Sequence, residues 1–180
     1  MSEFEYLAVF ISIIFGLGLT RILTGLIRSL YSGDFDQTRF VFAAYLFYGM
    51  LINWWTGFSW QSQQSWTFEL YLVIILWSVA HYLAAITLYP PRVESGDQRA
   101  PYRINWFLWS LNGIVAADIL QTAVQGSVFS PWYYLPFSLH IFALTVLAII
   151  VNRPRLYRWI AWYFLLVVIV WSLVVRRFLL

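Results

Sequence analysis

The sequence predicts an all-α polytopic membrane protein: a single domain over 1–180, built as a bundle of about six transmembrane helices with both termini on the non-cytoplasmic side. Three observations predict it. Of the 180 residues, 62% are hydrophobic and 11% are charged, whereas soluble domains carry about 25% charged residues. The apolar residues come in runs close to the ~20 residues that cross a roughly 30 Å hydrocarbon core. The arginines gather in alternate connections, the bias that sets the orientation of membrane proteins.

The first span is expected over 6–30. The acidic "MSEFE" before it lacks the basic region of a cleaved signal peptide, so this helix is expected to stay in the mature protein. "YSGDFDQT" (31–38), with a glycine and two aspartates, ends it. The second span, 40–60, runs into the polar, uncharged "QSQQS" (61–65), and the third, 67–89, into the longest connection, "PPRVESGDQRAPYR" (90–103). The fourth span, 104–124, stops at "QGSVFSP" (125–131). The fifth, 132–151, and the sixth, 157–180, are joined by "NRPR" (152–155), short enough to make an antiparallel hairpin. No connection is long enough to fold as a domain of its own.

Orientation follows from the arginines. Arg28, Arg39, Arg92, Arg99, Arg103, Arg153, Arg155 and Arg158 flank the first, third and fifth connections, while the N-terminus and the second and fourth connections hold none. That places the odd connections in the cytoplasm. Arg176 and Arg177, near the C-terminus, oppose this arrangement. Trp54, Trp55, Trp60, Trp66, Trp132, Tyr133 and Tyr134 fall at the outer interface and Tyr102, Trp106, Tyr157 and Trp159 at the inner one, as aromatic belts do.

Composition also excludes chemistry. Without cysteine there are no disulfides, thiolate nucleophiles or cysteine-ligated metals. All 11 basic residues are arginine, so no lysine can form a Schiff base. The net charge of +3 sits in short connections and does not point to nucleic acid.

Six polar residues fall inside the spans: Arg21, Asn53, His81, Asn112, Asp118 and His140. A charge at the bilayer centre costs about 2.5–3.5 kcal/mol on insertion scales, which makes each a functional candidate. Arg21 has two readings, a snorkelling or helix-packing group and a buried counter-ion. Gly18, Arg21, Gly25 and Arg28 share one side of the first helix, beside a stripe of Ser12, Gly16, Thr20 and Thr24. Small residues at that spacing let helices approach closely, so Gly16, Gly18 and Gly25 are expected to pack and the first helix to be central. Asp118 is too short to snorkel and must be paired, hydrogen-bonded or protonated. Gln121, Thr122 and Gln125 extend its face outward. It either faces a functional cavity or bonds Asn53, His140 or a backbone carbonyl. The expected substrate- or ion-binding set is Arg21, Asp118, Gln121, Asn53 and His140, with no catalytic or metal-ligating group.

"TRILTG" (20–25) aligns with "ADILQT" (117–122), which sets Arg21 over Asp118 and hints at inverted halves with a site between the first and fourth helices. The opening "EYLAVFISIIFGLGLTRILTGLIR" resembles the start of small multi-pass bacterial membrane proteins of uncharacterised function; the resemblance implies the inner (plasma) membrane and carries no activity.

The expected function is a small channel or transporter, homo-oligomeric, with a polar site on the first and fourth helices. One alternative is a scaffold or accessory subunit that docks a protein through its cytoplasmic connections. Another is a haem- or quinone-binding redox protein using His81 and His140. No cofactor is expected, and no constellation for an enzyme stands out. The lipid bilayer is the one partner that the composition itself requires.

Overall fold

The computed structural model describes residues 2–33, 35–63, 66–91 and 104–174. Most of the long connection at 90–103, with Arg92, Arg99 and Arg103, and the C-terminal stretch with Arg176 and Arg177 lie outside the described residues. Six α-helices follow one another: α1 (Glu3–Tyr31), α2 (Gln37–Gly57), α3 (Phe68–Leu88), α4 (Ile104–Val124), α5 (Tyr134–Val151) and α6 (Pro154–Val174). A short 3-10 helix, Phe58–Ser62, continues α2.

The helix ends are set by local chemistry. The acidic N-terminal residues form the first turn of α1: the Ser2 hydroxyl accepts from the Glu5 amide and the Glu5 carboxylate from the Ser2 amide, a capping box. Asp36 caps α2 and Thr67 caps α3, each through its side-chain oxygen. Asn152, at φ 50°, ends α5 in the left-handed conformation and Pro154 opens α6, so two residues turn the chain between them. α1, with 29 residues, is about 43 Å long and exceeds the hydrocarbon thickness unless it tilts or projects.

Among the described residues, five helices, α1 and α3 to α6, are long and apolar enough to cross a membrane. α2 has 21 residues but is not among them. Its Gln37, Tyr45, Tyr48 and Asn53 dilute its hydropathy, and its neighbours explain why that is tolerated: it packs on α6, α1 and α3.

α3 packs on α4, α4 on α5, α5 on α6, α6 on α2 and α2 on α3, which closes a ring of five helices. α1 stands outside this ring, against α3 and α2. The expectation of a central first helix is therefore corrected. The small-residue stripe is on the wrong face: Ser12, Gly16, Thr20 and Thr24 are all exposed, and a Cβ added at Gly16 would meet nothing within 4 Å. Gly18 and Gly25 do pack. A Cβ at Gly18 would lie 2.8 Å from Met50 Cε, and one at Gly25 would lie 2.2 Å from Tyr89 Cγ.

The start of α1, the 3-10 helix and the α4–α5 connection share one end of the bundle, here the upper end. The α1–α2 and α5–α6 connections share the lower end, with Arg28, Arg39, Arg153, Arg155 and Arg158. Between α2 and α4 the lower interior is filled by Phe42 and Phe107, edge to face with centroids 5.0 Å apart and neither exposed. At the α5–α6 turn, the Tyr157 hydroxyl donates to Asn152 Oδ1 (2.7 Å).

Candidate functional site

The upper half of the ring encloses a cavity of about 520 Å³ with walls from α2 to α6, the 3-10 helix and the α4–α5 connection. Its floor includes Leu46, Tyr45 and Phe164, whose last two rings touch with centroids 5.5 Å apart. Cavities of this size accept drug-sized molecules.

Asp118 lines the cavity from α4. The Tyr134 hydroxyl, at the start of α5, donates to Asp118 Oδ2 over 2.7 Å. Thr122 Oγ1 sits 2.9 Å from that hydroxyl and 2.8 Å from the Asp118 carbonyl, so one turn of α4 braces the pair. The half-buried carboxylate is thus held by a phenol from the neighbouring helix in a charge-assisted hydrogen bond.

Asn53 and His81 form the second polar pair, 2.9 Å apart between α2 and α3. His81 Nδ1 lies 2.8 Å from the Trp77 carbonyl, which can only accept. Nδ1 therefore carries the proton, and Nε2 accepts from Asn53 Nδ2. Phe15 and Trp77 pack on the imidazole at centroid distances of 5.2 and 4.6 Å. The contribution of α1 to the site is this ring behind His81; none of the described lining residues belongs to α1.

Gln121, one turn beyond Asp118, also lines the cavity; it is 6% exposed, and its Oε1 is buried without a hydrogen-bond partner. Aromatic rings complete the walls. Trp60 meets Trp77 edge to face at 5.8 Å, and Phe137 stacks on Trp171 at 6.4 Å. Asp118 is the one charged side chain among the described lining residues.

Of the five expected binding residues, the structure brings together Asp118, Gln121 and Asn53. Arg21 is elsewhere. Its Nε donates to the Tyr89 carbonyl over 2.6 Å, and Tyr89 is the C-cap of α3. A cation from α1 thus meets the partially negative end of α3 and satisfies one of its terminal carbonyls. His140 is also elsewhere: its Nδ1–H donates to the Phe137 carbonyl and its Nε2 accepts from the Tyr163 hydroxyl over 2.7 Å, joining α5 to α6 away from the lining. The two histidines have different partners on different helices, and each Nε2 is occupied. The described lining of this cavity comes from α2 to α6, and α3 stands between α1 and α4, packing against both. Asn112 takes a structural part: the Thr145 hydroxyl donates to its Oδ1, tying α4 to α5 below the cavity.

Several residues of the site were not legible as such. Trp60, Tyr133 and Tyr134 read as interfacial belt, but they line the cavity, whereas Trp132 is 80% exposed. The available signal for Tyr134 was a phenol opening a helix directly after the one that buries a carboxylate.

Among the described residues the class is defined by the apolar helices: an all-helical membrane protein with five candidate spans. No family model matches the chain, and no curated protein or solved structure matches it either. Its function is therefore argued from the cavity.

Proposed function

We propose that this protein is a six-span carrier that binds a small solute in the upper cavity, with the upper end and both termini on the non-cytoplasmic side of the inner (plasma) membrane. The observation that carries this reading is the position of Asp118. It is a membrane-embedded carboxylate, kept at the expense that burial imposes, braced by Tyr134 and turned toward a cavity large enough for a solute. The floor of Tyr45, Leu46 and Phe164, with the Phe42–Phe107 contact between α2 and α4, favours a carrier over an open channel. α2 is the sixth span in this reading; at about 31 Å it has the required length, and its Tyr48 and Asn53 bond neighbouring helices. The arginines of the lower end support the orientation.

Reconstituted vesicles tested with charged and neutral small solutes should show protein-dependent flux that Asp118→Asn abolishes. Flux unchanged by that substitution would contradict the reading. A second reading, an oligomer or the accessory subunit of a complex, is favoured by the outer face of α1. There Ser12, Gly16, Thr20 and Thr24 form an exposed stripe of small residues of the kind that lets another helix approach closely. Gly16→Ile should lower the assembly state on native electrophoresis from lipid nanodiscs if that face is an interface, and leave it unchanged if lipid covers it.

A further inference from the structure

We infer that the cavity takes a small organic ammonium, a protonated primary or secondary amine on an apolar or aromatic body. Its N–H groups go to the Asp118 carboxylate and Gln121 Oε1, and its body lies between the aromatic walls. This rests on the reading of the cavity as a solute site and names what the site takes.

Charge comes first. Asp118 is the one charged side chain among the described lining residues, so an anion would meet its repulsion, while a cation gains Coulomb attraction in a weakly screened interior. Hydrogen-bonding capacity comes second. An ionised carboxylate only accepts, and the Tyr134 hydroxyl occupies Oδ2. Gln121 Oε1 is a second acceptor, buried and unpartnered. Such an atom costs about 1–3 kcal/mol until a donor reaches it. Positions 118 and 121 are i and i+3 on α4, so both acceptors face the same side. Donors of the neighbouring pairs are engaged within the wall: Tyr134 OH on Asp118, His81 Nδ1–H on Trp77, and one N–H of Asn53 Nδ2 on His81. Asp118 and Gln121 thus offer acceptors on one side of α4 to a ligand that brings N–H donors.

The walls decide the rest. A bare metal ion takes about six or more oxygens at roughly 2.0–2.6 Å. This cavity instead offers indole and phenyl surface from Trp60, Trp77, Phe137 and Trp171, and a volume of about 520 Å³. Aromatic faces attract ammonium groups and bury the carbon body that carries them. Two acceptors in place of a purely aromatic cage select an amine with N–H groups over a quaternary one.

The test uses the full chain in lipid nanodiscs at pH 7, with three probes of one shape: 2-phenylethylammonium, its N,N,N-trimethyl derivative and uncharged 2-phenylethanol. Binding is followed by calorimetry and by emission of the cavity tryptophans. The expected result is saturable binding of the primary ammonium, at least tenfold tighter than the alcohol and several-fold tighter than the trimethyl derivative. Asp118→Asn should weaken the ammonium at least tenfold. Gln121→Leu should weaken the primary ammonium several-fold and leave the trimethyl derivative unchanged, a difference that general damage to the fold would not produce. If Asp118→Asn does not fold, Gln121→Leu and the three probes on the unaltered chain carry the test alone. Equal affinity for the alcohol and the ammonium overturns the inference and leaves the solute site standing. Absence of binding by all three probes also overturns it. The solute site itself falls separately, if cysteines placed in the cavity walls prove unreactive from water.

Discussion

At the residue scale, the polar groups of the membrane interior divide into two kinds of work. Arg21 closes the end of α3 by donating to the Tyr89 carbonyl, and Gly25 admits the Tyr89 ring against the α1 backbone. Arg21→Leu should therefore lower thermal stability by about 1.5–3 kcal/mol, the range for losing a charged hydrogen bond, while ligand binding and flux stay unchanged; thermal unfolding beside a binding assay checks both. Gly25→Ala drives a methyl into Tyr89 and should cost about 1–3 kcal/mol as overpacking. Gly16→Ala, in open space, should be neutral or slightly stabilising on the same unfolding assay. That contrast marks the limit of the sequence here. Spacing shows that Gly16, Gly18 and Gly25 are small residues on neighbouring faces, but not which face meets protein. Asp118 was legible because a short carboxylate must find a partner. The partner itself was not, since Tyr134 stands 16 positions away across a turn and an interfacial tyrosine looks the same in sequence.

At the element scale, the helix boundaries among the described residues were legible to within about three residues, since length and apolar runs point the same way. The expected 104–124 is α4 itself, and 67–89 differs from α3 by one residue at each end. Neighbour relations were not legible, because apolar helices carry little information about which helix they face. α2 is the clearest case. Its tyrosines and Asn53 look like defects in a span until its contacts place them: the Tyr48 hydroxyl bonds Ser172 of α6 (2.6 Å) and Asn53 bonds His81 of α3. If α2 spans, single cysteines at Gln37 and Gln61 should react with an impermeant reagent from opposite sides of the membrane; reaction of both from one side would contradict a sixth span. The Asn112–Thr145 bond makes a related prediction for α4 and α5. Thr145→Val leaves Asn112 Oδ1 unsatisfied beside an Nδ2 that already lacks a partner, so it should cost about 1–3 kcal/mol in the unfolding assay. Adding Asn112→Leu should restore much of that stability, because replacing both members removes the buried polar atoms together.

At the scale of the whole molecule, a five-helix ring braced on one side by α1 encloses a cavity in its upper half, above Tyr45, Leu46 and Phe164. The membrane class was plain from 11% charged residues. Arg21 and Asp118, both placed in the expected binding set, do not stand together: Arg21 bonds the Tyr89 carbonyl and Asp118 the Tyr134 hydroxyl. They serve opposite ends of the bundle, one capping a helix and the other lining a cavity. The absence of cysteine makes the cavity directly testable, since any introduced thiol is the only one in the chain. Val115→Cys and Val168→Cys place thiols on the α4 and α6 walls, and Leu166→Cys places one on the exposed face of α6. In intact cells treated from outside with a charged, impermeant thiol reagent, both wall cysteines should be modified, the 2-phenylethylammonium probe should slow that modification, and the cysteine at position 166 should stay unmodified. Unreactive wall cysteines, or all three reacting alike, would contradict a water-filled cavity built around Asp118.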